Sequence, residues 1–394
     1  MLVNDAGQKV LKQLNDAGYD AYFVGGIVRD ALLGQVTYDA DITTSAAPDV
    51  ILNLFEKTIA TGLQHGTVTV VMDEKNIEVT TFRLDGDYLD HRHPEHVTFT
   101  QSLSSDLSRR DFTINAIAQA LEGDIIDPFN GQADLKAKII RAVGNPVKRF
   151  EEDALRILRG IRFVAKLGFD IEEKTLTAMK SCQHLLVHLS LERIRKEFEG
   201  IIKGAYRFKA LKMMRDCEIF IHTPYFSSFH AFNDEQLEKL DDFKLAILLM
   251  QADFSHSSEF LTTFPLKRSE KKLIQVINKI WCEFQHENES HDKLIQYYYG
   301  IETLQMAKKY VNIIDVNKNE AETFLPFDLA IENRSDILIQ PKELLELSDE
   351  EPGGWINELF IEIEEAIILG KVENNKAALM TFIKERGIFD VKKT

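Results

Sequence analysis

Cysteine is scarce: three residues in 394, at positions 182, 217 and 282, each inside an apolar helical pattern and far from the others. Such spacing supports neither a disulfide framework nor a zinc site, and predicts buried free thiols. No run of eighteen uncharged apolar residues occurs, and the longest apolar stretch, Leu245 to Met250, is a core helix fragment rather than a membrane span. Met1 to Gln8 has no basic segment leading into an apolar one, so no export signal is visible and the expected location is the cytoplasm. Repeats of 20–50 residues and low-complexity segments are lacking as well. Positive charge is in deficit: 47 Lys and Arg against 63 Asp and Glu leave a net charge of −16, which at first sight argues against a polyanionic partner. Screening acts over about 8 Å, however, so the local balance decides. From Lys136 to Lys166 nine basic residues face three acidic ones, an island of +6.

At 44% apolar and 28% charged, the chain reads as soluble and globular, and its length predicts two to four domains or subdomains. Its first 145 residues alternate strand and helix signals. Ala21 to Val24 is a short strand ending in Gly25-Gly26, and Ile27 to Leu33 is a helix stopped by Gly34. Thr67 to Met72 and Ile77 to Phe82 form a hairpin across Asp73 to Asn76. Arg83 to Pro94 turns to Asp, Gly, His and Tyr, an exposed loop longer than an ordinary hairpin connection. Ile114 to Leu121 and Ile125-Ile126 add strand material. After Pro146 the apolar spacing becomes helical, with Ile157, Ile161 and Val164 on one face, and stays so to the C-terminus. The expected fold is α+β: an α/β head with a mixed sheet on a long all-α body.

Four constellations carry chemistry. The first is Gly25-Gly26-Ile27-Val28-Arg29-Asp30 with Asp39-Ala40-Asp41. Paired glycines let backbone N–H groups approach an anion, and Arg29 can reach the same phosphates. Asp39 and Asp41, two apart on a strand, point to one face. Two such carboxylates repel unless a cation joins them, and oxygen-only ligation suits Mg²⁺; a solvated loop is the alternative. The second is Glu78, a third carboxylate beside that pair or an outward strand residue. Arg109-Arg110-Asp111-Phe112-Thr113-Ile114-Asn115 is the third: its arginines suit a triphosphate and Asp111 and Asn115 suit ribose hydroxyls, although a capped helix end looks similar. The fourth is a helix beginning Glu151-Glu152-Asp153, whose Asp153, Arg156, Arg159 and Arg162 form one drifting stripe, either an ion-paired surface or a base reader. Cytosine and adenine both present an amino donor beside a ring-nitrogen acceptor, which an Asp/Arg pair matches. Uracil and guanine present the reverse and would leave buried groups unpaired.

These motifs resemble those of the bacterial class II tRNA nucleotidyltransferases, the CCA-adding enzymes, within the DNA polymerase β-like superfamily. The match runs through Gly25-Gly26-x-Val28-Arg29-Asp30-x-Leu32-Leu33-Gly34, Asp39-x-Asp41, Arg109 to Ala116 and Glu152-Asp153-x-x-Arg156-x-x-Arg159. Asp127-Pro128-Phe129-x-Gly131 and Ser190-x-Glu192-Arg193-Ile194 fit connecting motifs, and Pro352-Gly353-x-Trp355-Ile356 resembles the family's tail. The resemblance implies a head (1–145), a neck reading the base (146–205), a body (206–325) and a tail touching tRNA (326–394), arranged like a seahorse. It implies that Asp39 and Asp41 bind Mg²⁺, that Gly26, Arg29, Arg110, Arg159 and Arg162 hold the nucleotide, and that Asp153 and Arg156 select the base. The implied substrates are CTP, ATP and the 3′ end of tRNA; no membrane or protein partner is indicated. Within the class, a poly(A) polymerase or an enzyme adding only CC or only A are the alternatives. The acidic helical tail speaks against the first, and the polar segment Arg83 to Pro94, expected to act as a lever when the pocket changes from C to A, speaks against a CC-adding enzyme. A non-catalytic RNA-binding protein is the rival from another class, disfavoured by the presence of both aspartates. His291-Asp292 is the sole His-Asp dipeptide, without evident partners for a phosphohydrolase metal site, and reads as a surface pair.

Overall fold

The computed structural model describes residues 5–37, 40–86, 97–253, 258–283, 289–314, 325–347 and 351–385. The chain forms two compact units, residues 1–243 and 244–394.

In the first unit, α1 (Asp5–Asp16) buries Val10, Leu11 and Leu14 on one face. The strands follow as β1 (Ala21–Val24), β2 (Asp41–Thr44), β3 (Thr58–Gly62), β4 (Thr67–Met72) and β5 (Lys75–Thr81). Between them lie α2 (Gly26–Leu32) and α3 (Pro48–Leu54). The β4–β5 hairpin is tighter than the sequence suggests. Met72 pairs with Lys75, leaving a two-residue turn at Asp73-Glu74, both with positive φ. That turn twists with the strands, whereas a four-residue loop would not have needed left-handed residues.

A two-stranded ribbon, β6 (Arg83–Asp85) against β7 (Val97–Phe99), follows. The loop expected from Arg83 is thus a strand over Arg83–Asp85, and positions 87–96 of that expectation lie outside the described residues. After α4 (Leu103–Ser108) come β8 (Ala118–Gln119) and β9 (Ile125–Ile126). The strand expected from Ile114 is cut short, because Thr113–Asn115 is a single 3₁₀ turn. Local polar bonds outcompete the ladder there: Asp111 accepts the Phe112 N–H, and Asp134 accepts the Thr113 hydroxyl.

The seven-stranded sheet has the order β3-β4-β5-β2-β1-β8-β9. Only β2 and β5 pair in parallel, so the sheet is mixed, as expected. Strand β2 reads Asp-Ile-Thr-Thr with Ile42, Thr43 and Thr44 buried, and its first residue, Asp41, is exposed. Helices α5 (Gly131–Ala137), α6 (Pro146–Glu152), α7 (Leu155–Leu167), α8 (Glu173–Cys182) and α9 (Leu191–Ile202) complete the part that bears the site. Helix α7 packs its Ile157, Ile161 and Val164 inward, all at 0% exposure, confirming the helical period.

Among its described residues the second unit has helices and connecting loops and no strand, around a core that includes Ile331, Leu344, Leu359, Phe360 and Ile363. Asp292 is buried there and paired with Lys308 at 2.9 Å, so His291-Asp292 is not the surface pair its sequence context suggests. Cys182 and Cys217 are buried free thiols.

Candidate active site

Gly25 begins the site. Its φ of 73° and ψ of −131° are open to glycine and strained for any side chain. A Cβ at this position would stand 3.4 Å from Nη1 of Arg110 and 3.6 Å from Oδ2 of Asp41. The turn thus brings a guanidinium and a carboxylate from two other segments to one point. Asp41 pairs in register with Glu78 across the parallel β2–β5 ladder. Neighbours in register share a face, so two exposed oxygen donors lie side by side at strand spacing. Asp39 lies outside the described residues. Hard oxygen donors of this kind fit Mg²⁺ rather than a softer metal.

From this point a cleft of 780 Å³ runs along the first unit. Gly26, Arg29, Asp41, Arg110, Asp111, Asn115, Asp153, Arg156, Arg159 and Arg162 all line it. Residues distant in sequence therefore converge; Glu78 is not among the lining residues. Ten Lys and Arg line the cleft against three Asp, so among the described residues its walls are strongly positive inside a protein of −16. That is the electrostatics of a polyanion site.

A buried polar chain stiffens the floor. Lys166 donates to Asp30, Arg29 donates to Asp30 and to Oδ1 of Asn115, and Asn115 donates to Asp111, each between 2.7 and 3.1 Å. Arg159 closes the chain with its Nε 2.8 Å from Oδ2 of Asp111. The adjacent Arg159 guanidinium, the Asn115 amide and the Phe112 N–H hold the Asp111 carboxyl at about 2, overcoming the burial that alone would raise it. Asp106, fully buried, ties Arg109 and Arg110 together and accepts from Thr43 on β2.

The stripe expected on one helix is built differently. The helix does not run through Asp153: α6 ends at Glu152, Asp153 adopts an extended conformation, and α7 starts at Leu155. The Asp153 carboxylate accepts the Leu155 N–H at 3.1 Å, a local Asx-turn bond that competes with helix continuation. Asp153 and Arg156 each have another partner. Arg193 on α9 donates to Asp153 at 2.7 Å, and Arg156 donates to Glu152 at 2.7 Å and to the Arg149 and Arg109 carbonyls.

Sequence alone assigns no role in the cleft to His65, Phe163, Lys166 or Lys203, places Arg83 at the start of the expected lever segment and places Arg193 in a connecting motif. All six line the cleft. Lys166 lies in the basic island, whereas His65, Phe163 and Lys203 carry no local signal and reach the cleft through tertiary packing.

Residues 21–141 match the poly A polymerase head domain, 168–229 the probable RNA and SrmB-binding site of polymerase A, and 239–383 the putative tRNA nucleotidyltransferase domain 2. The chain is 38% identical over 390 residues to the CCA-adding enzyme of Bacillus cytotoxicus, covering 95% of this chain and 97% of that relative. It is 37% identical to the CCA-adding enzyme of Bacillus anthracis over the same shares. The crystal structure of the Bacillus stearothermophilus CCA-adding enzyme in complex with CTP superposes with a TM-score of 0.78 at 31% identity, over 97% of both chains. The Thermotoga maritima CCA-adding enzyme complexed with tRNA shares the fold, with a TM-score of 0.68 at 21% identity over 96% of this chain and 94% of that one. At this identity and coverage the chain belongs to the CCA-adding enzymes, a family of nucleotidyltransferases.

Proposed function

We propose that this chain adds C, C and A to the 3′ end of tRNA from CTP and ATP without a nucleic-acid template, in the cytoplasm. The observation that carries the reading is the single cleft on which Asp41, Arg110, Asp111, Asp153 and Arg156 meet. Nucleotidyl transfer needs a carboxylate cluster beside a phosphate site and a surface that reads the base, in that order along one groove.

Asp39 and Asp41, with Glu78 in register beside the latter, would hold Mg²⁺, which when bound in a two-metal site supplies activation of the RNA 3′-hydroxyl and neutralisation of the departing pyrophosphate. The remaining work belongs to the chain's own groups. Gly26, Arg29, Arg110, Arg159 and Arg162 hold the nucleotide, with Arg29 and Arg159 pre-set by Asn115 and Asp111. Asp111 and Asn115 meet the ribose. Asp153 and Arg156 read the base edge, the carboxylate accepting an exocyclic amine and the guanidinium donating to a ring nitrogen. Arg193 and Glu152 hold these two side chains before a base arrives, and each carboxylate oxygen of Asp153 keeps a further lone pair for it. Head (1–145), neck (146–205), body (206–325) and tail (326–394) are the corresponding working parts, with the tail touching tRNA.

The test is incubation with tRNA lacking its CCA end and one labelled nucleotide at a time, with Mg²⁺. Two additions from CTP followed by one from ATP, and none from UTP or GTP, is the expected result. Long A tracts would indicate a poly(A) polymerase, arrest after CC or requirement for preformed CC a partial enzyme, and binding without addition a non-catalytic RNA-binding protein.

A further inference from the structure

Helix α9 contributes a buried carboxylate that the proposed mechanism does not use. Glu197 is 3% exposed. Its Oε2 lies 3.1 Å from Nε of Arg162, an ion pair in which no hydrogen bond is aligned on that oxygen. Gly200, three residues on and therefore on the same face, leaves room for the stem of the same arginine. A Cβ at Gly200 would stand 2.6 Å from Cδ and 3.2 Å from Cγ of Arg162. On its other side, the Arg162 guanidinium carbon is 5.9 Å from the Phe163 ring centroid. Helix α9 is itself fixed: Phe198, next to Glu197, packs edge-on against Phe226 at 4.4 Å, and Ile194 and Ile201 are fully buried.

We propose that Glu197 and Gly200 are positioning residues that seat Arg162 against the cleft, so that its terminal amines meet the triphosphate of the incoming nucleotide. This rests on the reading of the cleft as a nucleoside triphosphate site. An arginine on a long flexible stem loses rotamer freedom when it grips phosphate; holding it beforehand from Nε and along the stem removes that cost from binding. The terminal amines reach phosphate whatever the base, so the gain is shared equally by CTP and ATP.

The electrostatics distinguish a positioning role from a structural strut. Arg162 and Arg159 on α7, Lys196 on α9 and Asp111 beyond them are the charged groups that bear on Glu197. Burial dominates and pushes its carboxyl above the ordinary glutamate value of 4.5. A carboxylate whose folded value is raised costs the fold stability once pH exceeds the unfolded value, and costs nothing when both states are protonated. Glu197→Gln therefore melts at or above wild type at pH 8, with the difference shrinking towards pH 5. Gly200→Ala puts the better helix former in a helix interior, but its methyl displaces the Cγ–Cδ stem of Arg162, so the thermal criterion is read on Glu197→Gln.

The experiment titrates CTP, ATP and inorganic tripolyphosphate into the full chain and both variants with Mg²⁺, alongside thermal melts at the two pH values. Kd should rise about tenfold for all three ligands in both variants, with the ratio of CTP to ATP unchanged and no loss of melting temperature in Glu197→Gln. Equal binding by variants and wild type overturns the proposal. So does tighter binding by Glu197→Gln, which would make the carboxylate a competitor of phosphate, and so does a lower melting temperature for that variant at pH 8, which would make it a strut. A wild type that binds none of the three ligands overturns instead the nucleotide reading beneath it.

Discussion

At the scale of single residues, the site depends on charges that only each other's presence makes tolerable. Asp41 sits at the exposed start of an otherwise buried strand, so removing its carboxylate takes little from packing. Asp41→Ala, and Asp39→Ala beside it in sequence, should abolish both C and A addition while the melting temperature stays near wild type. Loss of a ligand from a two-metal centre costs several orders of magnitude in rate; more than a tenth of activity left in both variants would remove the carboxylates from the mechanism. Asp111 behaves in the opposite way. It is 8% exposed, and its carboxyl is held at about 2 by Arg159, Asn115 and the Phe112 N–H. A depressed carboxylate contributes stability that is present above the ordinary value near 4 and is lost as pH falls towards about 2. Asp111→Asn leaves Arg159 without its counter-charge, and breaking such a pair costs on the order of 3–5 kcal/mol. Because a third of the Arg159 side chain remains in solvent, the low end, about 3 kcal/mol, is expected. Urea unfolding at pH 7 and pH 3 checks it: the gap between variant and wild type should narrow at the lower pH.

At the scale of elements, the break between α6 and α7 sets where Asp153 and Arg156 stand in the cleft. A continuous helix through Asp153 and Arg156 would place both on one ridge, three residues apart. Instead the extended Asp153 leaves α6, accepts the Leu155 N–H just before α7 and is caught by Arg193 from α9. If these two side chains read the base edge, Asp153→Ala and Arg156→Ala should admit UTP and GTP relative to CTP and ATP. Steady-state addition with each nucleotide measures this, and equal proportional loss for all four would assign the pair to phosphate binding or structure. The break also marks where sequence reading stopped. The motif Glu152-Asp153-x-x-Arg156 was legible, and so were the β4–β5 hairpin, the buried face of α7 and the mixed sheet, because each follows a local period. The bond from the Leu155 N–H to Asp153 competes with helix continuation, and pattern alone does not decide between them. The partnership with Arg193, forty residues away, arises from packing of α7 on α9 and has no local trace. The same is true of Glu197, whose helical surroundings look like any charged surface until Arg162 is seen against it.

At the scale of the whole molecule, charge is segregated along the chain. Residues 1–135 carry nine Lys and Arg against 21 Asp and Glu, residues 136–215 carry 19 against nine, and residues 216–394 carry 19 against 33. A net acidic protein thus has one basic stretch, which includes α7 and α9 and six of the ten Lys and Arg that line the cleft. Acidic flanks repel a polyanion that approaches elsewhere, so they favour one docking place at the expense of overall affinity. If tRNA is held at the basic stretch, the salt dependence of its binding originates there, each phosphate contact contributing a slope of about 0.7 to 0.9 in log Kd against log salt. Lys203 and Lys9 make a matched pair for testing this. Both are well exposed, at 70% and 59% of the side chain, and each faces one carboxylate at 2.7 Å, Glu199 and Asp73 respectively. They differ in place: Lys203 lines the rim of the cleft and Lys9 lies on α1 of the head. Lys203→Gln should lower the slope of tRNA binding by about 0.8, while Lys9→Gln leaves it unchanged. Filter binding between low and physiological salt reads both. An equal change in the two variants would mean that tRNA responds to the net charge of the protein and not to the basic stretch, and the docking face would have to be sought in the second unit.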